Sequence, residues 1–171
     1  MDKKVVSIFG TSKAKEGDNI YKIAEETGRI LAQTGFTIAN GGYGGTMAAA
    51  AKGASQAGGR AIGVTCKAFE NSKANQYITE EIATKSLDKR LDTLIRLGQA
   101  YIVLPGGTGT LLEFAKVWEL KNKGFLEKKK PIILIGRFWN PLIELLSIDD
   151  PECRSQLNIV SEPKQIVQLI K

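Results

Sequence analysis

The chain has 171 residues, of which 43% are hydrophobic and 25% charged, a size and composition that suit one globular domain with its own core. It contains no histidine and two cysteines without CxxC spacing, which excludes serine-histidine and cysteine-histidine catalysis and argues against structural zinc. The net charge of +6 suits an anionic ligand, but basic and aromatic residues are not interleaved as in nucleic-acid-binding proteins.

The N-terminal MDKKVVSIFG passes from a charged stretch directly into a strand-like run and carries no secretory signal. No apolar run in the sequence approaches the length of a bilayer-spanning helix. We therefore expect a cytoplasmic protein without a membrane or nucleic-acid partner, and we expect no metal or redox cofactor. Any chemistry must use carboxylates, Arg, Lys, hydroxyls and backbone groups.

Short apolar runs rich in β-branched residues predict five buried parallel strands. They are VVSIF (5–9), FTIAN (36–40), AIGVT (61–65), AYIVL (100–104) and PIILI (131–135). Helical patterns between and after them cover residues 19–34, 45–57, 87–98, 109–122, 139–146 and 163–171. This alternation predicts an α/β fold, a Rossmann-like doubly wound parallel sheet with helices on both faces, in a single domain over residues 1–171.

Turns rich in glycine and hydroxyl residues follow several of these strands. Gly10-Thr11-Ser12 follows the first strand, GGYGGTM the second and PGGTGT the AYIVL strand. Doubly wound sheets bind their ligands at the carboxyl ends of the strands, near the point where strand order reverses. These turns therefore predict a pocket at that edge, with Ser12 among its residues. Residues 66–84 are less regular, and we expect a flexible lid there.

The strongest functional signal is the turn over residues 105–110, which leads into an amphipathic helix. Its glycines allow N–H groups at the helix start to approach an anion, which the helix dipole also favours. The predicted phosphate-binding residues are Gly106, Gly107, Thr108, Gly109 and Thr110. The helical spacing predicts a buried stripe of Leu111, Phe114, Ala115 and Trp118. Glu113 falls on the opposite side of the helix. The alternative is that the glycines only form a tight turn without a ligand, and that Glu113 simply lies near the positive end of the helix dipole.

The second glycine cluster, GGYGGTM (41–47), ends one strand and opens an alanine-rich helix. A second helix start of this kind at the same sheet edge predicts further contacts to the phosphate and ribose. The residues proposed for these contacts are Gly44, Gly45, Thr46 and Met47. Glycine-rich turns also occur in folds with no ligand, and that interpretation stays open here.

The helix over residues 87–98 contains a basic residue at an unusual position. Its predicted packed stripe is Leu87, Leu91, Leu94 and Gly98, and its predicted solvent face is Asp88, Lys89, Asp92 and Arg96. Arg90 lies at the border of the stripe, where a guanidinium can reach a cleft instead of bulk solvent. A surface arginine that lays its aliphatic stem along the helix is the alternative.

The motif PGGTGTLLE (105–113) resembles the PGGxGTxxE motif of the LOG (LONELY GUY) family, whose members are often labelled lysine decarboxylases. GGYGGTM followed by AGGRAIGV is similar to the family's GGGxxGxM segment and the strand after it. The resemblance runs from about residue 5 to the NPLIELL segment (140–146). The sequence has no recognisable pyridoxal-phosphate lysine context, so the decarboxylase label finds no support.

The resemblance implies a phosphoribohydrolase that releases an adenine-type base from a nucleoside 5'-monophosphate, with cytokinin ribotides among the family's substrates. It implies that Glu113 and Arg90 are the essential residues and that the protein is a homodimer or a larger homo-oligomer. By analogy with glycoside hydrolysis, Glu113 would stabilise an oxocarbenium-like transition state and orient or deprotonate water. Arg90 would hold the substrate and assist departure of the base.

The sequence departs from the family pattern at several positions. Leu91 follows Arg90 where the family has lysine, Gln99-Ala100-Tyr101 replaces the usual ADAF, and Glu113 stands where the family commonly has two adjacent acids. These changes keep Arg90 and Glu113 but leave the identity of the base open. A non-catalytic nucleotide-binding protein, or a carrier of the molybdenum cofactor like relatives with the same glycine turns, is the alternative function.

Overall fold

The computed structural model describes residues 4–69 and 73–170. The strands are β1 (Val5–Phe9), β2 (Thr37–Asn40), β3 (Ala61–Cys66), β4 (Glu80–Thr84), β5 (Ala100–Val103), β6 (Ile132–Ile135) and β7 (Leu157–Val160). The α-helices are α1 (Asn19–Gln33), α2 (Thr46–Gln56), α3 (Leu87–Leu97), α4 (Thr108–Asn122) and α5 (Asn140–Leu146), with 3₁₀ helices at Cys153–Gln156 and Pro163–Gln168. Across these described ranges, no helix combines the length and the apolar character needed to cross a bilayer.

The described strands form one parallel sheet in the order β4-β3-β2-β1-β5-β6-β7. The chain builds outward from β1 in one direction as far as β4, then crosses back to place β5 on the other side of β1. The two loops that follow β1 and β5 therefore diverge, which opens a crevice at their carboxyl ends. This reversal fixes where a ligand can enter the sheet.

Each strand of the sheet centre supplies side chains to two cores because successive residues point to opposite faces. Val6 and Ile8 of β1 belong to the core beneath α1 and α2, whereas Val5 and Phe9 belong to the core beneath α3 and α4. The buried hydroxyl of Ser7 donates to the backbone oxygen of Leu94, 2.7 Å away. The prediction of a doubly wound parallel α/β fold is confirmed.

All five predicted strands are present, but two edge strands were not predicted. β4 and β7 lie at opposite ends of the sheet, where their side chains are mostly half-buried or exposed. Their short, partly polar sequences, EEIAT and LNIV, lack the continuous apolar runs that identify the central strands.

Two further expectations from the sequence differ from the structure. The segment over residues 66–84, expected to be irregular, contains β4 at its end, and Asn75 donates hydrogen bonds to the backbone oxygens of Gly42 and Tyr43. The flexible lid expected there stays a prediction. Residues 70–72 of the expected lid lie outside the described residues. The expected last helix is a short 3₁₀ helix, Pro163–Gln168, whose buried anchor is Ile166, so little packing supports a longer α-helix.

Helices α1 and α2 approach each other closely because each presents a glycine to the backbone of the other. A Cβ on Gly28 would overlap the backbone carbonyl of Ala50, and a Cβ on Gly53 would overlap that of Glu25. Helix backbones at this separation leave no room for an added methyl group. The close contact holds α2, and with it the loop before α2, in place against the sheet.

We expect Gly28→Ala and Gly53→Ala each to lower the free energy of unfolding by roughly 1–3 kcal/mol, because the helices must separate. Gly109→Ala is the matched control: Gly109 also lies in a helix, and among the described atoms nothing lies within 4 Å of its added Cβ. Urea unfolding measures all three variants. Equal stability of Gly28→Ala and Gly109→Ala would contradict the packing account.

Candidate active site

The loops after β1, β2 and β5, together with the starts of α3 and α4, surround a pocket of about 770 Å³. This volume is within the range of about 300–1,000 Å³ typical of small-molecule sites. The sequence-predicted residues that line it are Ser12, Met47, Arg90, Gly107, Thr108, Gly109, Thr110 and Glu113. The pocket lies at the reversal of strand order, as the sheet topology requires.

Gly44, Gly45, Thr46 and Gly106 were also predicted to contact the ligand, but they do not line the pocket. Gly45 has a φ of 65° and lies against the backbone of the β1 loop, where a Cβ would overlap Thr11. The Thr46 hydroxyl donates to the backbone oxygen of Thr11, 3.0 Å away. Gly106 leaves space for the Thr110 side chain. Gly45, Thr46 and Gly106 shape the loops around the pocket instead.

The start of α4 is the part of the pocket best suited to an anion. The first N–H groups of an α-helix lack acceptors within the helix, and the N-cap residue Gly107 has no side chain to offer them one. By contrast, Ser86 caps α3 by accepting a hydrogen bond from the Lys89 N–H group. Lys13, exposed at the pocket rim, adds a positive charge near the α4 terminus. Both features favour a phosphate group.

Arg90 is held in the pocket wall by two polar contacts. Its Nε donates to the backbone oxygen of Val64 at 2.8 Å, and its Nη1 donates to Oε1 of Glu113 at 3.4 Å. The Arg90 side chain is 9% exposed and that of Glu113 is 13% exposed. A guanidinium so buried needs a partner of opposite charge. Because α3 supplies the arginine and α4 the glutamate, this ion pair joins the two helices across the pocket.

The two helix stripes predicted from spacing were partly wrong, and the error concerns this pair. Leu87 is exposed at the pocket rim, and Arg90 itself lies on the buried face of α3. In α4, Ala115 is exposed and Val117 is buried. Helical spacing alone placed the centre of each buried face about one residue away from its position in the structure. Arg90 was therefore assigned to the border of the buried face of α3 instead of to the face itself.

The carboxyl group of Glu113 has a strongly perturbed affinity for protons. Burial raises its pKa from the usual 4.5 to about 7, although the neighbouring Arg90 opposes this rise. A carboxyl group with this pKa accepts and donates a proton near neutral pH, as a general base or acid must. The buried position at the pocket wall, and not the ion pair, is the cause of the shift.

Two aromatic rings lie against the Arg90 guanidinium, and the sequence patterns did not predict this contact. Its central carbon lies 5.6 Å from the centre of the Tyr43 ring and 6.0 Å from that of Phe69, within the range of cation–π attraction. Tyr43 belongs to the GGYGGTM motif, so its position offered a signal. Phe69 follows β3 in an irregular segment where no pattern identified it.

Gly41 provides the space that Arg90 occupies. A Cβ at this position would overlap the Arg90 guanidinium and would come within 2.7 Å of the Met47 sulfur. The first glycine of the GGYGGTM cluster therefore leaves the space that the Arg90 side chain needs. The need for glycine here arises from close approach of a side chain, because Gly41 does not have a positive φ.

The fold and pocket define a class: Rossmann-like α/β proteins in which a helix N-terminus and a buried glutamate–arginine pair line a pocket at the strand-order reversal. A sequence profile of the SLOG cluster4 family matches residues 3–167. The chain belongs to this family, and the resemblance to LOG proteins read from PGGTGTLLE is confirmed.

Two relatives carry the same functional name. The cytokinin riboside 5'-monophosphate phosphoribohydrolase of Rhodococcoides fascians is 28% identical over 146 residues, which cover 84% of this chain and 74% of the relative. The enzyme of that name from Mycobacterium tuberculosis is 32% identical over 119 residues, covering 68% and 62%. Among solved structures, the molybdenum cofactor binding protein of Rippkaea orientalis is 26% identical with a TM-score of 0.78, covering 99% of this chain and 96% of that one.

Because the pKa of Glu113 is raised in the native state, the stability of the fold should depend on pH through this residue. Between the unfolded-state pKa of 4.5 and the native value of about 7, the native state keeps a proton that the unfolded chain has released. The contribution of this group is therefore fully present below the unfolded pKa and is lost as the pH rises to about 7. We expect a loss on the order of 3 kcal/mol from this residue.

Urea unfolding of the wild type and of Glu113→Gln, at about pH 5 and at about pH 8, isolates this contribution because all other groups are shared. The wild type should lose more stability with rising pH than the variant does. The same pH dependence in both proteins would show that Glu113 titrates normally.

Proposed function

We propose that this chain is a nucleoside 5'-monophosphate phosphoribohydrolase. It would cleave the N-glycosidic bond of a purine nucleotide, AMP or a cytokinin-type ribotide, to free base and ribose 5-phosphate. The observation that carries the proposal is the buried Arg90–Glu113 pair, at 3.4 Å, in the wall of a pocket that also contains the free start of α4. The names of the curated relatives support the same reaction.

Glu113 is suited to activate water in this reaction. Cleavage develops positive charge on the ribose, and an ionised carboxylate beside the sugar stabilises that charge. As water attacks C1' and the bond to the base breaks, the water proton passes to Glu113 and the bonding electrons pass to the base. Glu113 then gives the proton to the departing base, which its pKa of about 7 permits.

Arg90 is suited to support departure of the base. A guanidinium cannot act as the proton donor, since it does not lose its proton in proteins. It can donate charge-assisted hydrogen bonds to a base nitrogen that gains negative charge. The bond from Nε to the Val64 oxygen fixes its orientation before substrate arrives, so no reorganisation is needed during the reaction.

The start of α4 is suited to hold the phosphate. Glu113 lies five residues after Thr108, the first residue of α4, which is roughly 7.5 Å along the helix axis. A phosphate bound by the N–H groups of Thr108, Gly109 and Thr110 would thus extend its ribose toward Glu113. The helix sets the spacing between the phosphate and the bond to be cut.

The test is release of free base from AMP and from isopentenyladenosine monophosphate, measured by chromatography. Glu113→Gln should lose at least about 100-fold in release rate, because the amide cannot take a proton. Glu119→Gln is the matched control: Glu119 lies on the same helix, is 60% exposed and pairs with Lys123 outside the pocket. Unchanged release by Glu113→Gln, with nucleotide still bound, would rule out its catalytic role.

A second candidate function is that of a non-catalytic nucleotide-binding or molybdenum-cofactor carrier protein. It is favoured by the full-length structural similarity to the Rippkaea orientalis protein. A carrier requires the phosphate site but no poised carboxylate. Calorimetric binding of AMP without any base release from either nucleotide would favour this function, and turnover that depends on Glu113 would exclude it.

A further inference from the structure

The residues that line the pocket fall into two chemical groups, which we call its polar half and its apolar half. The start of α4, Ser12 and Lys13 form a polar half suited to phosphate. The other half is apolar and contains three large side chains that remain substantially exposed: Phe69 at 39%, Leu87 at 41% and Leu112 at 43%. Exposed apolar surface inside a pocket is typical of a ligand site, because a bound apolar group removes it from water.

Two aromatic rings, Tyr43 and Phe69, form one wall of the apolar half, which we call the aromatic wall. Their ring centres lie 5.9 Å apart with an interplanar angle of 49°. The Tyr43 ring is held in position because its hydroxyl accepts a hydrogen bond from the Cys66 N–H group at 2.8 Å. Asn75 also donates to the backbone oxygen of Tyr43 at 2.9 Å. The Tyr43 side of the wall is therefore organised before a ligand binds.

The aromatic wall lies beside the reacting groups. Both rings flank the Arg90 guanidinium, which in turn contacts Glu113. The contacts thus run from the aromatic wall to Arg90, from Arg90 to Glu113, and along α4 from Glu113 to the helix start. A nucleotide has the same order of parts: a planar base, the glycosidic bond, the ribose and the phosphate.

We propose that the aromatic wall stacks the base of the bound nucleotide, with Phe69 as the residue that confers preference for a planar aromatic base. This inference rests on the proposed function for the identity of the ligand. Stacking uses the π-face that every purine has, and it places the base next to the Arg90 donors. The polar half, which we assign to the phosphate, would supply none of this selectivity.

The test measures binding of AMP and of ribose 5-phosphate by calorimetry in the Glu113→Gln background, where AMP is not consumed. Phe69→Ala should weaken AMP binding roughly 5-fold to 100-fold and leave ribose 5-phosphate binding unchanged, because that ligand has no base to stack. Phe69→Trp should retain AMP binding. Phe125→Ala is the control, since Phe125 is 76% exposed and does not line the pocket.

Unchanged AMP affinity in Phe69→Ala would overturn the inference, and so would an equal loss for both ligands, which indicates general damage to the pocket. Failure of the parent protein to bind AMP would also overturn it. Base release assays on the protein with Glu113 intact separate this inference from the proposed function. Base release together with unchanged AMP affinity in Phe69→Ala would support the proposed function but not the stacking inference. Weaker AMP binding in Phe69→Ala without base release would support the stacking inference but not the proposed function.

Discussion

A guanidinium withdrawn from water must keep a partner for its charge and acceptors for its N–H groups. Arg90 meets this requirement with the Val64 oxygen, the Glu113 carboxyl and the faces of two aromatic rings. Each partner comes from a different element, so the arginine joins β3, α4 and the loops after β2 and β3. Glycine is required at position 41 because the Arg90 guanidinium fills the space that a Cβ would occupy. Much of the pocket is arranged around this one side chain.

The sheet topology explains why these elements meet. Reversal of strand order between β1 and β5 separates the loops that follow them and leaves the start of α4 facing the resulting crevice. β3 lies two strands from β1, near enough for the Val64 oxygen to reach Arg90 on α3. The sheet topology thus brings Glu113, Arg90 and the start of α4 to one crevice. The fold supplies the geometry, and a few side chains supply the chemistry.

The sequence predicted the central strands and the position of Glu113 from strong local patterns, whereas Arg90 was singled out mainly by the family resemblance. Buried parallel strands are continuous apolar runs, and Glu113 follows a dense glycine turn. Edge strands β4 and β7 are half-exposed and carry no such pattern. The supporting roles of Thr46 and Gly41, and the presence of Phe69 in the pocket, depend on contacts between segments distant in sequence. The hydrophobic pattern of a single helix or strand contains no information about contacts with distant segments.

Our proposal makes Arg90 and Glu113 partners in one reaction step, the cleavage of the N-glycosidic bond. A double-mutant cycle in base release from AMP, with Arg90→Lys, Glu113→Gln and the combined variant, tests it most directly. Lysine keeps the positive charge but cannot contact both the Val64 oxygen and Glu113 as the guanidinium does. If the two residues act in that one step, the double variant should release base no more slowly than the slower single variant. Losses that multiply would show that the two residues act independently, and would contradict the proposal.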